Sequence, residues 1–170
     1  MVLEKAKLII VDGEGENIEV MFNPQEISFT RRSIWDDDPG NRGEELLPKV
    51  NFGGLEPYNL SLNKLIFDTY ETKESVMKKY INNIKKGVNA PTGVNKRPPV
   101  YLFTWGDEYF HCVMTSLTYS LTMFLTDGTP VRAFVDIALK EVDKPNVPGG
   151  KKSGSAENRE PESGLGPVDK

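Results

Sequence analysis

The feature that most constrains this chain is a run of two-residue alternation in its C-terminal half. From Phe110 to Thr126, the residues Val113, Leu117, Tyr119, Leu121, Met123 and Leu125 share one parity. Ser116, Thr118, Ser120, Thr122 and Thr126 share the other. Successive side chains of a strand point to opposite faces, so this pattern predicts a long strand with one dry face and one hydroxyl-lined face. Asp127-Gly128 supplies turn chemistry, and Val131, Ala133, Val135, Ile137 and Leu139 then alternate with Arg132, Asp136 and Lys140. A β-hairpin of that length requires a sheet to join. A preceding strand is read at Val100–Trp105, with Gly106-Asp107 as its turn.

The N-terminal part carries the same signal in shorter pieces. Leu8 to Val11 is apolar, Asp12-Gly13-Glu14-Gly15 is a turn, and Ile18, Val20 and Phe22 alternate with Glu19 and Met21 until Asn23-Pro24 stops the strand. Ile27 and Phe29 alternate before Arg31-Arg32, and Leu60-Ser61-Leu62 opens a strand that runs through Phe67. Only one stretch changes period. Val76, Met77, Tyr80, Ile81 and Ile84 fall on one face of an α-helix spanning about 72–87. Thr72 is the expected N-cap, Glu71 and Glu74 lie near the positive end of the dipole, Lys85-Lys86 near the negative end, and Gly87 just past it.

Two segments stand apart. Residues 33–52 mix breakers and charge (Asp36-Asp37-Asp38-Pro39-Gly40-Asn41-Arg42-Gly43) with apolar flanks at Ile34-Trp35 and Leu46-Leu47. That composition reads either as a solvated loop or as a β-hairpin arm that orders against a neighbouring subunit. Residues 143–170 have no apolar periodicity and no aromatic residue, so they are expected to form a disordered tail. The expected organisation is a mainly β domain over 1–142, one packed helix, and that tail.

The chemistry-bearing residues are few. The 170 residues include one Cys and one His, which excludes an intrachain disulfide and a Cys-based zinc site. His111 and Cys112 are adjacent in a strand, so their side chains point to opposite faces and cannot form a dyad. There is no Gly-rich phosphate loop and no nucleophile elbow. A net charge of −4 lacks the basic footprint of a nucleic-acid binder. No run is long and apolar enough for a membrane-inserting span, and the N-terminus lacks a secretory leader. Asp68 and Glu71 are read as a structural strand-to-helix corner rather than as paired acid–base carboxylates. Trp35 and Trp105 are packing or interface anchors. The reading is therefore no enzyme, no cofactor and no metal.

Four segments in order resemble the tube-protein domain of contractile injection systems. These are Met21-Phe22-Asn23-Pro24-Gln25-Glu26; Leu60-Ser61-Leu62 with Leu65-Ile66-Phe67-Asp68-Thr69-Tyr70-Glu71; Pro98-Pro99-Val100-Tyr101-Leu102-Phe103-Thr104-Trp105-Gly106; and Leu125-Thr126-Asp127-Gly128-Thr129-Pro130-Val131-Arg132-Ala133. Together they span about residues 3–142. The resemblance implies a β-sandwich or barrel-like tube fold and a hexameric ring at the inner tube or its junction with the baseplate. The implied partners are other copies of the chain and the tube, baseplate and spike proteins of a phage tail-like particle assembled in the cytoplasm. Many family members add a C-terminal LysM module, for which this tail has no pattern. The alternative is a β-sandwich module that binds a ligand or peptidoglycan without catalysis. The subunit-interface candidates are Arg31, Arg32, Trp35, Asp36, Asp37, Asp38, Leu46 and Leu47.

Overall fold

The C-terminal alternation folds as a long antiparallel pair, β8 (Glu108–Phe124) with β9 (Pro130–Glu141), at the centre of the computed structural model. The structure describes residues 3–38, 49–92 and 96–143. The expected tail, from residue 144 on, lies outside the described residues, as do Leu46 and Leu47. Around the central pair stand β1 (Lys7–Asp12), β2 (Ile18–Glu19), β3 (Ile27–Thr30), β6 (Asn59–Asp68) and β7 (Val100–Trp105). They form one antiparallel sheet in the order β2-β1-β7-β8-β9-β6-β3. Two further strands, β4 (Ser33–Asp38) and β5 (Lys49–Leu55), pair in a separate sheet. The chain is thus mainly β with one short helical segment.

The seven-stranded sheet is rolled. Leu8 and Ile18 near one edge line the same gap in the core as Leu62 and Leu65 near the other. Alternate residues of β9 (Val131, Ala133, Val135, Ile137 and Leu139) are buried along its whole length, and Leu60, Leu62, Leu65 and Phe67 face them from β6. A sheet with one apolar face and too little helix to cover it buries that face by curling on itself, the barrel-like form of the expected architecture. The chain crosses the seam between residues 20 and 26. Asn23 holds the crossing in place: its side-chain oxygen accepts the Ala6 N–H at 3.1 Å, and its amide donates to the Glu4 carbonyl at 2.8 Å. Asn23-Pro24 does not itself end the strand, which stops at Glu19; it lies in the crossing and supplies these two bonds. The second strand is shorter than its alternation suggests. It ends at Glu19, so Phe22 turns outward and is 53% exposed.

Irregular backbone explains three more departures. The parity of β8 is not continuous. Cys112 and Met114 are buried and Val113 is only half-buried, whereas Leu117, Tyr119 and Leu121 pack against the core. A bulge between Met114 and Ser116 inserts one residue and exchanges the faces. The helix is shorter than the stretch 72–87. A π-helical turn, Met77–Ile81, runs into an α-helical turn, Asn82–Lys85 (together α1). Five residues make little more than a full turn when bonds run i→i+5, so Val76 and Ile81 both face inward with Ile84. Thr72 does not cap it. Lys73, at φ 54°, breaks the helical path, and the Thr72 hydroxyl turns to the Thr69 carbonyl at 3.2 Å. Gly87 does lie just past the helix end, but close packing requires it there: a Cβ would sit 2.7 Å from Met114 Cε and 3.0 Å from the Tyr101 hydroxyl.

Candidate functional site

Four of the interface candidates from the sequence, Trp35, Asp36, Asp37 and Asp38, lie on β4, which pairs with β5, and Arg31 and Arg32 immediately precede it. Trp35 pairs with Phe52 across the ladder, and Asp37 with Val50, so Trp35, Asp37, Val50 and Phe52 share one face. The Trp35 and Phe52 rings meet edge to face at 5.4 Å. The Trp35 indole N–H donates to Ser33 Oγ at 2.9 Å. Asp36 lies on the other face, opposite Asn51. Asp38 is in register with Lys49. Among the described residues, these two strands hydrogen-bond to each other and to no other strand.

This small sheet exposes apolar surface. Trp35, Val50, Phe52 and Leu55 are each more than half exposed, and Ile34 is 44% exposed. The bend at its base comes from a bulge. Ile34 pairs with Gly54 and Trp35 with Phe52, which leaves Gly53 over. Gly54 takes φ +137°, and a Cβ on Gly53 would sit 2.9 Å from an Asp36 carboxylate oxygen. Gly53-Gly54 was the legible signal for this bend, and it lies just past the stretch 33–52 that was read by composition.

Arg31 and Arg32 brace the base of this arm. Arg31 Nε donates to the Glu56 carbonyl at 2.9 Å, and its guanidinium lies 4.7 Å from the centre of the Tyr58 ring. The Glu56 N–H donates to the Arg32 carbonyl at 2.9 Å, which extends the ladder by one bond. Tyr58 is tied to the end of β9: its N–H donates to a Glu141 carboxylate oxygen at 3.0 Å, and its carbonyl accepts the Glu141 N–H at 2.8 Å. The arm therefore springs from a fixed root at the end of the rolled sheet.

The Asp68 corner lies at the other end of β6. One carboxylate oxygen accepts the Tyr70 N–H at 2.8 Å, and the other accepts Arg132 Nε at 2.7 Å. These bonds, with the Tyr70 amide as the larger cause, hold the Asp68 carboxyl below the usual carboxylate range. Buried Thr69 completes the corner: its N–H donates to the Val131 carbonyl at 2.7 Å and its hydroxyl to the Glu74 carbonyl at 2.6 Å. Glu71 is exposed and does not share these bonds. Asp68 thus spends both oxygens on folding the strand-to-turn junction.

The remaining chemical candidates fall into packing roles. Burial pushes the Cys112 thiol up to about 12, far from the thiolate a nucleophile needs. Trp105 packs against the core edge, and its indole N–H points to the Glu4 carbonyl at 3.3 Å. Among the described residues, no group of three or more His, Cys, Asp or Glu side chains is placed to hold a metal ion. No helix among them is long and apolar enough to cross a membrane.

The family described as contractile injection system tube protein matches residues 3–147. No curated protein matches the chain.

Proposed function

The chain belongs to the contractile injection system tube protein family, which gives it a structural role in such a machine, and on that premise we propose that it forms a ring, a hexamer, at the inner tube or its junction with the baseplate. The observation that carries this reading is the arm. A two-stranded hairpin on its own is marginal in water, yet this one stands off the main sheet with Trp35, Val50, Phe52 and Leu55 exposed. Large apolar side chains gathered on one projecting face are what an association surface requires. A neighbouring subunit or ring supplies the missing partner.

In a ring of identical subunits, contacts are heterologous and close by rotation. The short edge strands β2 and β3 leave one side of each open for a neighbour, and strand addition there is the route by which a sheet grows across subunits. The outward face of β8, with Ser116, Thr118, Ser120 and Thr122 exposed beside Asp136 of β9, suits a wet lumen. The role is non-catalytic: Asp68 and Cys112 are committed to folding. The particle is assembled in the cytoplasm, with tube, baseplate and spike proteins as neighbours.

Negative-stain imaging and sedimentation of the purified chain, alone and with tube and baseplate partners, test the ring. Six-fold rings are expected, and a protein that stays monomeric with every such partner contradicts it. Deleting Asp36 to Gly43 is expected to leave the subunit folded and to abolish stacking of rings. A deletion variant that stacks normally removes the arm from the account.

A further inference from the structure

The arm meets the rolled sheet at one register position. Thr30, the last residue of β3, pairs with Asn59, the first of β6, so the outgoing and returning legs of the arm start side by side. The legs are tied together: Arg31 Nε donates to the Glu56 carbonyl, and the Glu56 N–H donates to the Arg32 carbonyl, each at 2.9 Å. They therefore move as a unit. The returning leg is also stiff. Pro57 has its φ fixed by the ring, and steric conflict with that ring confines Glu56 to extended conformations. With both residues restrained, the direction of the arm relative to the sheet is set at Tyr58.

The backbone of Tyr58 is held by Glu141. The Tyr58 carbonyl accepts the Glu141 N–H at 2.8 Å, which continues the β6–β9 ladder past the pair Asn59 and Lys140. The Tyr58 N–H donates to a Glu141 carboxylate oxygen at 3.0 Å. This second bond comes from a side chain, and the side chain has a fixed origin. Glu141 is in register with Cys112 of β8, and the next N–H, that of Val142, donates to the His111 carbonyl at 2.9 Å. Neither partner belongs to the core: Glu141 is half-buried and Tyr58 is exposed. The carboxylate therefore restrains the root of the arm without enclosing apolar surface.

From this geometry we infer that Glu141 is a positioning residue for the arm: its carboxylate fixes the Tyr58 peptide, and through Pro57 that peptide aims the exposed face of Trp35 and Phe52 before any partner is met. The inference rests on the reading of the arm as an assembly contact and adds what holds that contact ready. A surface already in its bound orientation avoids the ordering cost of association. Without the carboxylate bond, the Glu141 N–H still continues the ladder, so the sheet stays closed. The leg then gains freedom to swing at Tyr58. Arg31 acts with Glu141, as the brace that makes both legs follow the one that is held.

Two readouts in the full chain test it, one of arm direction and one of assembly, with folding followed by circular dichroism. Direction is read as the dipolar distance between spin labels on Asp37→Cys in the arm and Thr118→Cys on the outward face of β8, both exposed positions, while the native Cys112 is buried. One narrow distance distribution is expected in the chain that keeps Glu141. Glu141→Ala is expected to lose the narrow peak, and Glu141→Gln, which keeps an oxygen acceptor, to retain it. In unlabelled chains, sedimentation velocity is expected to show an association constant about tenfold lower for Glu141→Ala, the order of one hydrogen bond to a charged group, and largely recovered in Glu141→Gln. A narrow, unshifted distribution in Glu141→Ala overturns the positioning role. So does a Glu141→Ala chain that does not fold, which assigns Glu141 to the stability of the sheet. A lost peak with undiminished assembly upholds Glu141 as the residue that aims the arm and overturns the reading of the arm as an assembly contact.

Discussion

The rolled sheet and the arm are built from the same kind of strand and end in opposite states. In the sheet, the apolar residues of the inner face are packed against one another. Phe67 is fully buried and its ring lies 5.1 Å from Tyr80, while Ile137 and Leu139 are enclosed on all sides. In the arm, Trp35 and Phe52 have each other and little else, and both remain more than half exposed. Burying a large apolar side chain contributes about 1.5–3 kcal/mol relative to leaving it in water. The sheet realises that stabilisation in the isolated subunit. On the proposed function the arm leaves it for association, and stability and assembly are then carried by separate parts of one chain.

Substitutions should separate the two regions sharply. The largest effect on the isolated subunit is expected at Phe67→Ala, a loss of about 3–5 kcal/mol in urea unfolding, because the core cannot collapse around the vacated ring. A loss below about 1 kcal/mol would mean that the sheet is not rolled around this residue. Asn23→Ala removes both bonds that hold the seam crossing to Glu4 and Ala6, and about 1–3 kcal/mol should be lost. The same unfolding measurement checks it, and an effect near zero would show that the seam closes without Asn23.

The Asp68 corner is expected to contribute through pH. Its folded carboxyl is held below its ordinary value of 3.8, so its contribution is fully present above that value. The contribution is lost as pH falls through the lower folded value. Unfolding midpoints measured from pH 6 downward should fall in the native chain and fall less in Asp68→Asn, which has no carboxyl to protonate. Identical acid profiles would place the acid sensitivity elsewhere. A smaller gain is expected at Lys64→Gly. Lys64 adopts φ 57° at the β6 bulge, where glycine is unstrained, so a gain of about 1 kcal/mol in the same assay is expected. The Lys64 N–H, which donates to Asp136 at 2.7 Å, is retained in the variant.

Much of the rolled sheet was legible because period-two alternation with turn residues is a strong local signal. The strands from Leu60 to Phe67, Val100 to Trp105 and Val131 to Leu139 stand where the alternation places them. The failures sit where one residue is added or withheld. The bulge beside Thr115 exchanges the faces of β8 without a glycine or proline to mark it. The π-helical turn brings Val76 and Ile81 to one side at a spacing that a regular helix separates. Asn23 reads as a strand stop in sequence, and its bonds to Glu4 and Ala6 depend on a long-range approach that local pattern does not encode. Among the site residues, Trp35 and the aspartates after it were legible as an oddity of composition. Their pairing with Val50 and Phe52 was not, because Gly53 and Gly54 interrupt the alternation on the partner strand.

The division of labour between sheet and arm is tested most directly by one double variant, Trp35→Ala with Phe52→Ala, measured twice. Urea unfolding of the isolated subunit is expected to change by less than about 0.5 kcal/mol, as for exposed side chains. Sedimentation of the same preparation is expected to show that higher assemblies are lost. A variant that unfolds readily would make the arm part of the subunit's own core, and a variant that assembles like the native chain would contradict the account.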